Sequence, residues 1–221
     1  ARAERDRRQA SVDQQLGKIS EKAEKYWQIS YLNVRSLKCH KEDVEKDNFL
    51  MSADVFSLGE THLEKGEEIH FNGYTGVFAS HGKGKGVSTF YNIECAPVNS
   101  ITSEKYSGIQ LRFVKFDAIF LYLSSGCNKE EILNHLESWI VEKRPTVIMG
   151  DINIDYDKSN KLIKALDNLG FQQLIQEATR ISGTLIDHIY VNKELHSLNV
   201  TTQLDGMYYS DHDAVTIFIP K

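Results

Sequence analysis

Residues Thr146–Asn153 read Thr-Val-Ile-Met-Gly-Asp-Ile-Asn, an apolar run that ends in a carboxylate and an amide two positions apart. Side chains alternate along an extended chain, so Asp151 and Asn153 leave the tip of such a strand on the same side. Alone, the pair would read as an Asx-rich turn closing a strand. It has company, because Asn33, Glu60, Tyr122, Asp187, Asp211 and His212 also fall at or near the ends of predicted strands. That is the pattern of a site assembled at one edge of a sheet. Carboxylates and amides without cysteine ligands favour a hard cation, Mg²⁺ with Mn²⁺ as substitute, over zinc. Such an ion neutralises a phosphate and stabilises a leaving oxyanion. Asp151 is then placed to orient or deprotonate an attacking water, and His212 needs a partner to fix its tautomer, for which Asp187 is the candidate.

Periodicity supplies the elements that must carry these residues. Gln28–Asn33 reads as the first strand of the domain, Lys41–Leu50 as a helix, and Ala53–Leu58 as a short buried strand running into Gly59-Glu60-Thr61-His62. Phe71–Phe78 is aromatic and broken by turns, whereas Val87–Asn92 alternates as a strand. Between them, His81–Gly86 lacks the Gly-Lys-Ser/Thr and the helix start of a nucleotide loop, so Lys83 and Lys85 either touch a phosphate backbone or decorate a solvated turn. Gly108–Val114 and Ala118–Leu123 read as a hairpin turning at Lys115–Asp117. Asn128, with Glu131 three residues on, marks a helix start, its apolar face formed by Ile132, Leu133, Leu136, Trp139 and Ile140. Ser159–Leu169 reads as a second helix closed by Gly170. Thr179–Thr184 is a polar loop before the strand Leu185–Val191, which holds Asp187 inside an apolar run, a placement that demands a partner. Val200–Leu204 and Ala214–Ile219 are the last strands, with Ser210-Asp211-His212 ahead of the second.

Ahead of all this, Val12, Leu16, Ile19, Ala23 and Tyr26 are spaced by four and three, which predicts a helix between Arg2 and Trp27. Arg2, Arg5, Arg7 and Arg8 make it either a basic arm toward DNA or, diluted by Glu4 and Asp6, a solvated lead-in. Residues 1–27 are therefore expected to be a helical extension or interdomain linker, and residues 28–221 a single domain without internal repeats.

The chain has 221 residues, 41% hydrophobic and 26% charged, enough for one sizeable domain. No apolar run approaches the roughly 20 residues of a membrane helix, so no membrane partner is expected. Cys39, Cys95 and Cys127 are odd in number and lack metal-ligand spacing, which argues against a disulfide framework and for a reducing, intracellular compartment. A net charge of −5 does not mark a nucleic-acid binder. Metal-binding carboxylates lower the total, however, without preventing a local basic patch from meeting phosphates.

Gly59-Glu60-Thr61-His62, Gly150-Asp151-Ile152-Asn153, Ile186-Asp187-His188-Ile189 and Ser210-Asp211-His212, in that order, with Asn33 before and Tyr122 between, resemble the motifs of the endonuclease/exonuclease/phosphatase superfamily, the DNase I-like fold. The resemblance runs from Ile29 to the C-terminus. It implies an α/β chain folded as a four-layer α/β sandwich, two mixed β-sheets flanked by helices, with the site where strand-end loops converge. It also implies roles. Glu60 would be the principal metal ligand with Asn33 beside it, and Asp211 would assist the metal or position His212. Asp151 would activate or align the water, Asn153 would stabilise the phosphorane-like transition state, Tyr122 would contact the scissile phosphate, and His212 with Asp187 would contact or protonate it. Arg35, Arg180, Ser182, Thr184 and Ser210 are the substrate-contact candidates, although the polar loop at 179–184 equally fits no such role. His62 and His188 read as structural histidines. Where DNA-repair members carry an acidic residue two positions after the first Asn, this chain has Arg35, which removes one potential ligand and points away from abasic-site repair.

Leu32-Asn33-Val34-Arg35-Ser36-Leu37 and Glu60-Thr61-His62-Leu63 resemble the endonuclease domains of mobile elements, both LINE-type retrotransposons and the domains fused to Helitron-type helicases. Phe120–Gly126 and Tyr209–Asp213 are more similar to the Helitron-associated group. The resemblance implies a metal-dependent nickase that cuts DNA to leave 3′-hydroxyl and 5′-phosphate ends, joined to a helicase or reverse transcriptase and working in the nucleus. Two other readings stand beside it. A phosphoesterase acting on a small-molecule or lipid phosphate would be expected to add a lipid-facing loop or head-group pocket, which the sequence does not offer. A catalytically silent DNA-binding module is disfavoured because every expected catalytic residue type is present.

Overall fold

In the computed structural model, which describes residues 23–158 and 160–221, the apolar runs form strands whose residues are buried throughout. Such runs belong in layers covered on both sides. In chain order the elements are β1 (Tyr26–Asn33), α1 (Leu37–Lys46), a 3₁₀ turn at Leu50–Ser52, β2 (Val55–Gly59), β3 (Thr75–Ala79), β4 (Val87–Tyr91), β5 (Ala96–Thr102), β6 (Tyr106–Arg112) and β7 (Asp117–Leu123). There follow α2 (Lys129–Trp139), β8 (Thr146–Asp151), α3 (Lys161–Asn168), β9 (Phe171–Gln173), β10 (Asp187–Asn192), α4 (Lys193–His196), β11 (Thr201–Asp205) and β12 (Ala214–Pro220).

The strands form two six-stranded mixed sheets, ordered β11-β12-β1-β2-β4-β3 and β5-β6-β7-β8-β10-β9. Each contains one parallel pair, β1–β2 and β7–β8, and each pair is joined by a crossover through a helix, as parallel strands require. Between the sheets lies an apolar core that includes Ile29, Val55 and Ile217 from the first and Ile109, Phe120 and Met149 from the second. On the outer face of the first sheet, Leu37 and Val44 of α1 pack with Phe56 and Phe90. Outside the second, Ile132 and Leu136 of α2 and Leu162 and Leu166 of α3 pack with Ile148 and Tyr190. The result is the expected sandwich of two mixed sheets flanked by helices. Among the described residues no helix is long and apolar enough to cross a membrane.

The helix ends follow local chemistry. Asn128 caps α2 by accepting from the Glu130 N–H. Glu131, which the sequence casts as the reciprocal capping residue, instead accepts the Tyr106 hydroxyl at 2.6 Å. The helix predicted from Lys41 begins at Leu37, because Ser36 Oγ accepts from the Cys39 N–H, and it stops at Lys46. Asn160 caps α3, and Gly170 follows its end with φ 81°. The first strand starts at Tyr26 rather than Gln28, with Trp27 packed on Phe116 at a ring distance of 5.4 Å, so Tyr26 and Trp27 belong to the sheet and not to a helix. The stripe residues Val12, Leu16 and Ile19, the basic arm Arg2, Arg5, Arg7 and Arg8, and Ser159 lie outside the described residues.

Candidate active site

Three of the polar residues share one row of the second sheet. Tyr122 pairs with Asp151 across β7–β8, and Asp151 pairs with Asp187 across β8–β10. Directly paired residues present their side chains on the same face. β8 can lie this close to β7 because residue 150 is glycine: a Cβ there would sit 1.9 Å from the Leu121 carbonyl oxygen. In the first sheet Asn33 ends β1 opposite Gly59, where a Cβ would meet the Tyr31 hydroxyl at 2.0 Å. Glu60 is the next residue, in left-handed backbone with φ 49°, and Arg35 and Asn153 share that conformation at 53° and 54°. Non-glycine residues held this way cost about 1–3 kcal/mol each and gather at functional sites.

Asp151 is the centre of the polar network. It is 1% exposed; its Oδ2 accepts from Asn33 Nδ2 at 2.8 Å and its Oδ1 from the Asn153 N–H at 2.9 Å. Burial lifts its carboxyl to about 8 and the Asp187 charge pushes the same way, while His212, Asn33 and the Asn153 N–H oppose them. Asp187 is fully buried, and its Oδ2 accepts from His212 Nδ1 and from Thr179 Oγ1, both at 2.8 Å. Burial raises its pKa against the His212 hydrogen bond, and its other oxygen, Oδ1, is buried without a partner. Burial disfavours a charged His212, but the hydrogen bond and charge of Asp187, with Asp151 and Asp211 nearby, outweigh it and raise the imidazole pKa. A carboxylate oxygen can only accept, so Nδ1 carries the proton and Nε2 is left for substrate.

The Tyr122 hydroxyl reaches Glu60 Oε1 at 3.2 Å and the Gly84 carbonyl at 3.1 Å. Burial, then the Glu60 and Asp151 charges, raise its pKa, so it stays a neutral donor. Gly84 belongs to the Gly82–Gly86 loop, which also accepts the His62 N–H on the Lys85 carbonyl at 3.0 Å. Lys83 and Lys85 therefore sit on the rim of the site, Lys83 exposed and Lys85 half-buried.

Arg35, Glu60, Tyr122, Asp151, Asn153, Arg180 and His212 line one cavity of about 270 Å³, with Asn33 and Asp187 one hydrogen bond behind them. Other candidates have different places. Asp211 gives one oxygen to Arg35 Nη1 and the other to Arg180 Nε, each at 2.9 Å, so both of its expected ligating atoms already face guanidinium groups. Ser210 is a brace: its Oγ donates to the Asn33 carbonyl at 2.7 Å and accepts the His212 N–H at 3.1 Å. Ser182 and Thr184 face each other at 3.1 Å and are absent from the cavity wall. His62 is half-buried with its pKa lowered by burial. His188 donates from Nε2 to the Leu185 carbonyl at 3.1 Å, accepts the Tyr190 hydroxyl at 3.0 Å, and is pushed by burial down to about 4. Sequence reasoning missed Ser124 and Ser125, which line the cavity directly after β7, and Thr179, whose hydroxyl also accepts the Ile186 and Asp187 N–H groups. The strand-end signal that singled out Tyr122 covers the serines too, whereas nothing local marks Thr179 as buried. A larger cavity, about 760 Å³, lies between residues 64–68 and β3, but it lacks a comparable hydrogen-bonded polar set and we place the chemistry in the smaller one.

The donor set suits a metal. Asp151, Asp187 and His212 have potential ligand atoms within 4.8 Å of one another, and one Asp187 oxygen there is unpaired. Because Asp187 and His212 are buried and tied together, Glu60 is the carboxylate open to the cavity, its Oε2 4.0 Å from His62 Nε2. Asn33 Oδ1 accepts the Arg35 N–H at 3.1 Å and keeps a second lone pair. Carboxylate and amide oxygens together fit a hard divalent cation.

Residues 30–212 match the Endonuclease/Exonuclease/phosphatase family. No curated protein sequence matches the chain. Among solved structures, the chain is similar to the endonuclease domain of TRAS1, a telomere-specific non-LTR retrotransposon, at 14% identity over 88% of this chain and 98% of that one, with a TM-score of 0.69. It is also similar to an AP endonuclease from Archaeoglobus fulgidus, at 17% identity over 87% and 98% with a TM-score of 0.71. The 3′-5′ exonuclease NExo from Neisseria meningitidis is similar at 17% identity over 87% and 99%, with a TM-score of 0.70. At these identities the likeness is one of fold.

Proposed function

The chain belongs to the endonuclease/exonuclease/phosphatase family, and from that membership and the geometry of its site we propose that it is a Mg²⁺-dependent DNA endonuclease that nicks one strand, leaving 3′-hydroxyl and 5′-phosphate ends. The observation that carries this reading is the row Tyr122–Asp151–Asp187, with Glu60 at the Tyr122 hydroxyl and Arg35 and Arg180 on the same cavity wall. Carboxylates for an ion and guanidiniums for phosphate meet there in one small polar space.

Glu60 and the Asn33 carbonyl would hold the ion, with Asp151 beside them. When bound, Mg²⁺ supplies a Lewis acid that neutralises phosphoryl charge and stabilises the leaving oxyanion. Asp151 aligns a water and takes its proton as the new P–O bond forms. The Asn153 amide and the Tyr122 hydroxyl donate to phosphate oxygens as their charge grows. His212, as an imidazolium protonated on both nitrogens and held through Nδ1 by Asp187, donates from Nε2 to the same phosphate, and the bond to the 3′ oxygen breaks as that oxygen takes a proton from solvent water. Ser210 and Thr179 keep the His212–Asp187 pair in place.

The mobile-element motifs, and a fold shared with the TRAS1 endonuclease domain, support a place for the chain in a transposable-element protein, joined to a helicase or reverse transcriptase and acting on nuclear DNA. Supercoiled plasmid tests the activity: relaxed circles should form with Mg²⁺ and vanish with EDTA, or with Asp151→Ala or His212→Ala. Equal nicking by wild type and both variants would remove the site assignment. Phosphate release from inositol lipids with plasmid left intact would replace DNA by a small phosphoester.

A further inference from the structure

We infer that Arg35, Asp211 and Arg180 form a phosphate clamp, in which Asp211 orients two guanidinium groups toward a backbone phosphate of the bound DNA instead of ligating the metal; the inference rests on the nuclease reading above. Asp211 divides its carboxylate between the two arginines at 2.9 Å each. A divalent ion approaching those oxygens would meet two fixed positive charges. The trio carries a net charge of +1, and Asp211 takes only one N–H direction from each side chain, Nη1 of Arg35 and Nε of Arg180. A guanidinium has five N–H donors in a planar fork, so donors remain on both.

Those donors are presented rather than buried. The Arg35 and Arg180 side chains are 51% and 37% exposed against 26% for Asp211, and both arginines line the cavity that also holds Glu60 and Asp151. The cavity is thus divided into a carboxylate wall and a guanidinium wall. Paired arginines with free forks match the geometry of a phosphodiester, and a carboxylate behind them fixes the rotamers before the anion arrives.

Both arginines are also tied through backbone to catalytic groups. The Arg35 N–H donates to Asn33 Oδ1, which ties residue 35, itself in left-handed backbone, to the proposed metal ligand. Arg180 forms a backbone bridge with His212, flanked by the Ile181 N–H to the Asp211 carbonyl at 3.0 Å and the Asp213 N–H to the Thr179 carbonyl at 2.8 Å. A phosphate held by the clamp is therefore held in register with Asn33 and with His212.

The test separates the two roles of Asp211. Duplex oligonucleotide binding is followed by fluorescence anisotropy in EDTA across a salt series, and Mg²⁺ binding to the DNA-free protein by calorimetry. Arg35→Ala and Arg180→Ala should each weaken DNA binding about ten-fold and reduce the slope of log affinity against log salt by about 1. Arg180→Lys, which keeps the charge but loses the fork, should retain the slope and lose part of the affinity. Asp211→Asn should bind Mg²⁺ within two-fold of wild type, while Glu60→Gln weakens it more than ten-fold. Within an Asp211→Asn background, adding Arg180→Ala should cost less than three-fold, because the guanidinium is already unmoored. The clamp is overturned if Asp211→Asn loses Mg²⁺ affinity ten-fold, or if both arginine variants keep wild-type DNA affinity and salt slope. Wild type that nicks plasmid while the clamp fails leaves the nuclease reading intact; wild type that binds DNA through the clamp yet never nicks removes that reading and keeps the clamp.

Discussion

Strand by strand, β11-β12-β1-β2-β4-β3 corresponds to β5-β6-β7-β8-β10-β9, with the parallel pairs β1–β2 and β7–β8 in the same central position. The second strand of each pair runs into a glycine and then a carboxylate, Gly59-Glu60 in one sheet and Gly150-Asp151 in the other. The two carboxylates are topological equivalents in unlike surroundings. Asp151 is still within its strand, 1% exposed, with both oxygens hydrogen-bonded and its pKa lifted to about 8. Glu60 is one residue beyond its strand, in left-handed backbone, with 21% of its side chain exposed and the Tyr122 hydroxyl on one oxygen. Shifting a carboxylate by one residue across a strand end therefore separates a buried, doubly hydrogen-bonded carboxylate from an accessible one, and in the proposed mechanism the first takes the proton of the water while the second holds the cation. Pairs of carboxylates whose environments set them apart in this way divide acid–base and electrostatic work between them.

The sharpest way to break that distinction is to neutralise each carboxylate in turn. Asp151→Asn is expected to lower plasmid nicking by about 10³-fold at any Mg²⁺ concentration, because a proton acceptor is lost. Glu60→Gln should lose on the order of 10²-fold at low Mg²⁺ and recover as the ion is raised, because metal affinity is what suffers. Parallel recovery of the two variants would make them functional equivalents as well as topological ones.

The two glycines should differ as well. In Gly150→Ala the new methyl meets the Leu121 backbone oxygen, which cannot move without parting β7 from β8, and urea denaturation should show a loss of at least about 3 kcal/mol. In Gly59→Ala it meets the Tyr31 hydroxyl first and the ring Cζ behind it at 2.9 Å; the expected loss is about 2 kcal/mol, only part of it regained with Tyr31→Phe.

Opposite these glycines the sheets diverge again, with Val87 facing Gly59 and His188 facing Gly150. His188 sits at about 4 in the fold, against about 6.5 unfolded, so on acidification the unfolded chain takes up the proton first. Its contribution is complete above pH 6.5 and is lost between pH 6.5 and 4, by up to about 3 kcal/mol. His188→Val, which imports the residue of the other sheet, should flatten that stretch of the stability–pH curve; an unchanged slope would assign it elsewhere.

The strand-end residues were legible because buried strands need unbroken apolar runs, and a polar residue closing one, as Asn33 and Asp151 do, has to be positioned for something. The sheet correspondence was invisible, since the halves share topology and not residues. β5 was missed because Ala-Pro-Val-Asn-Ser-Ile-Thr is largely exposed, contains Pro97, and shifts register between Pro97 and Asn99; its strand identity comes from its partner β6. β9 has three residues, too few for a period. The sequence marks Ser210 as a substrate-contact candidate and Asp211 as a residue to assist the metal or position His212; the hydrogen bonds they make to Asn33, Arg35 and Arg180 come from segments that only folding brings near.

The chemistry itself is tested most directly by cleaving a short duplex with Mg²⁺ in water enriched in oxygen-18 and weighing both new ends by mass spectrometry. Water attack aligned by Asp151 gives a 3′-hydroxyl and a 5′-phosphate carrying one labelled oxygen, with no product in EDTA and about 10³-fold less from Asp151→Asn. A 3′-phosphate end, or a 5′-phosphate without the label, would contradict the account.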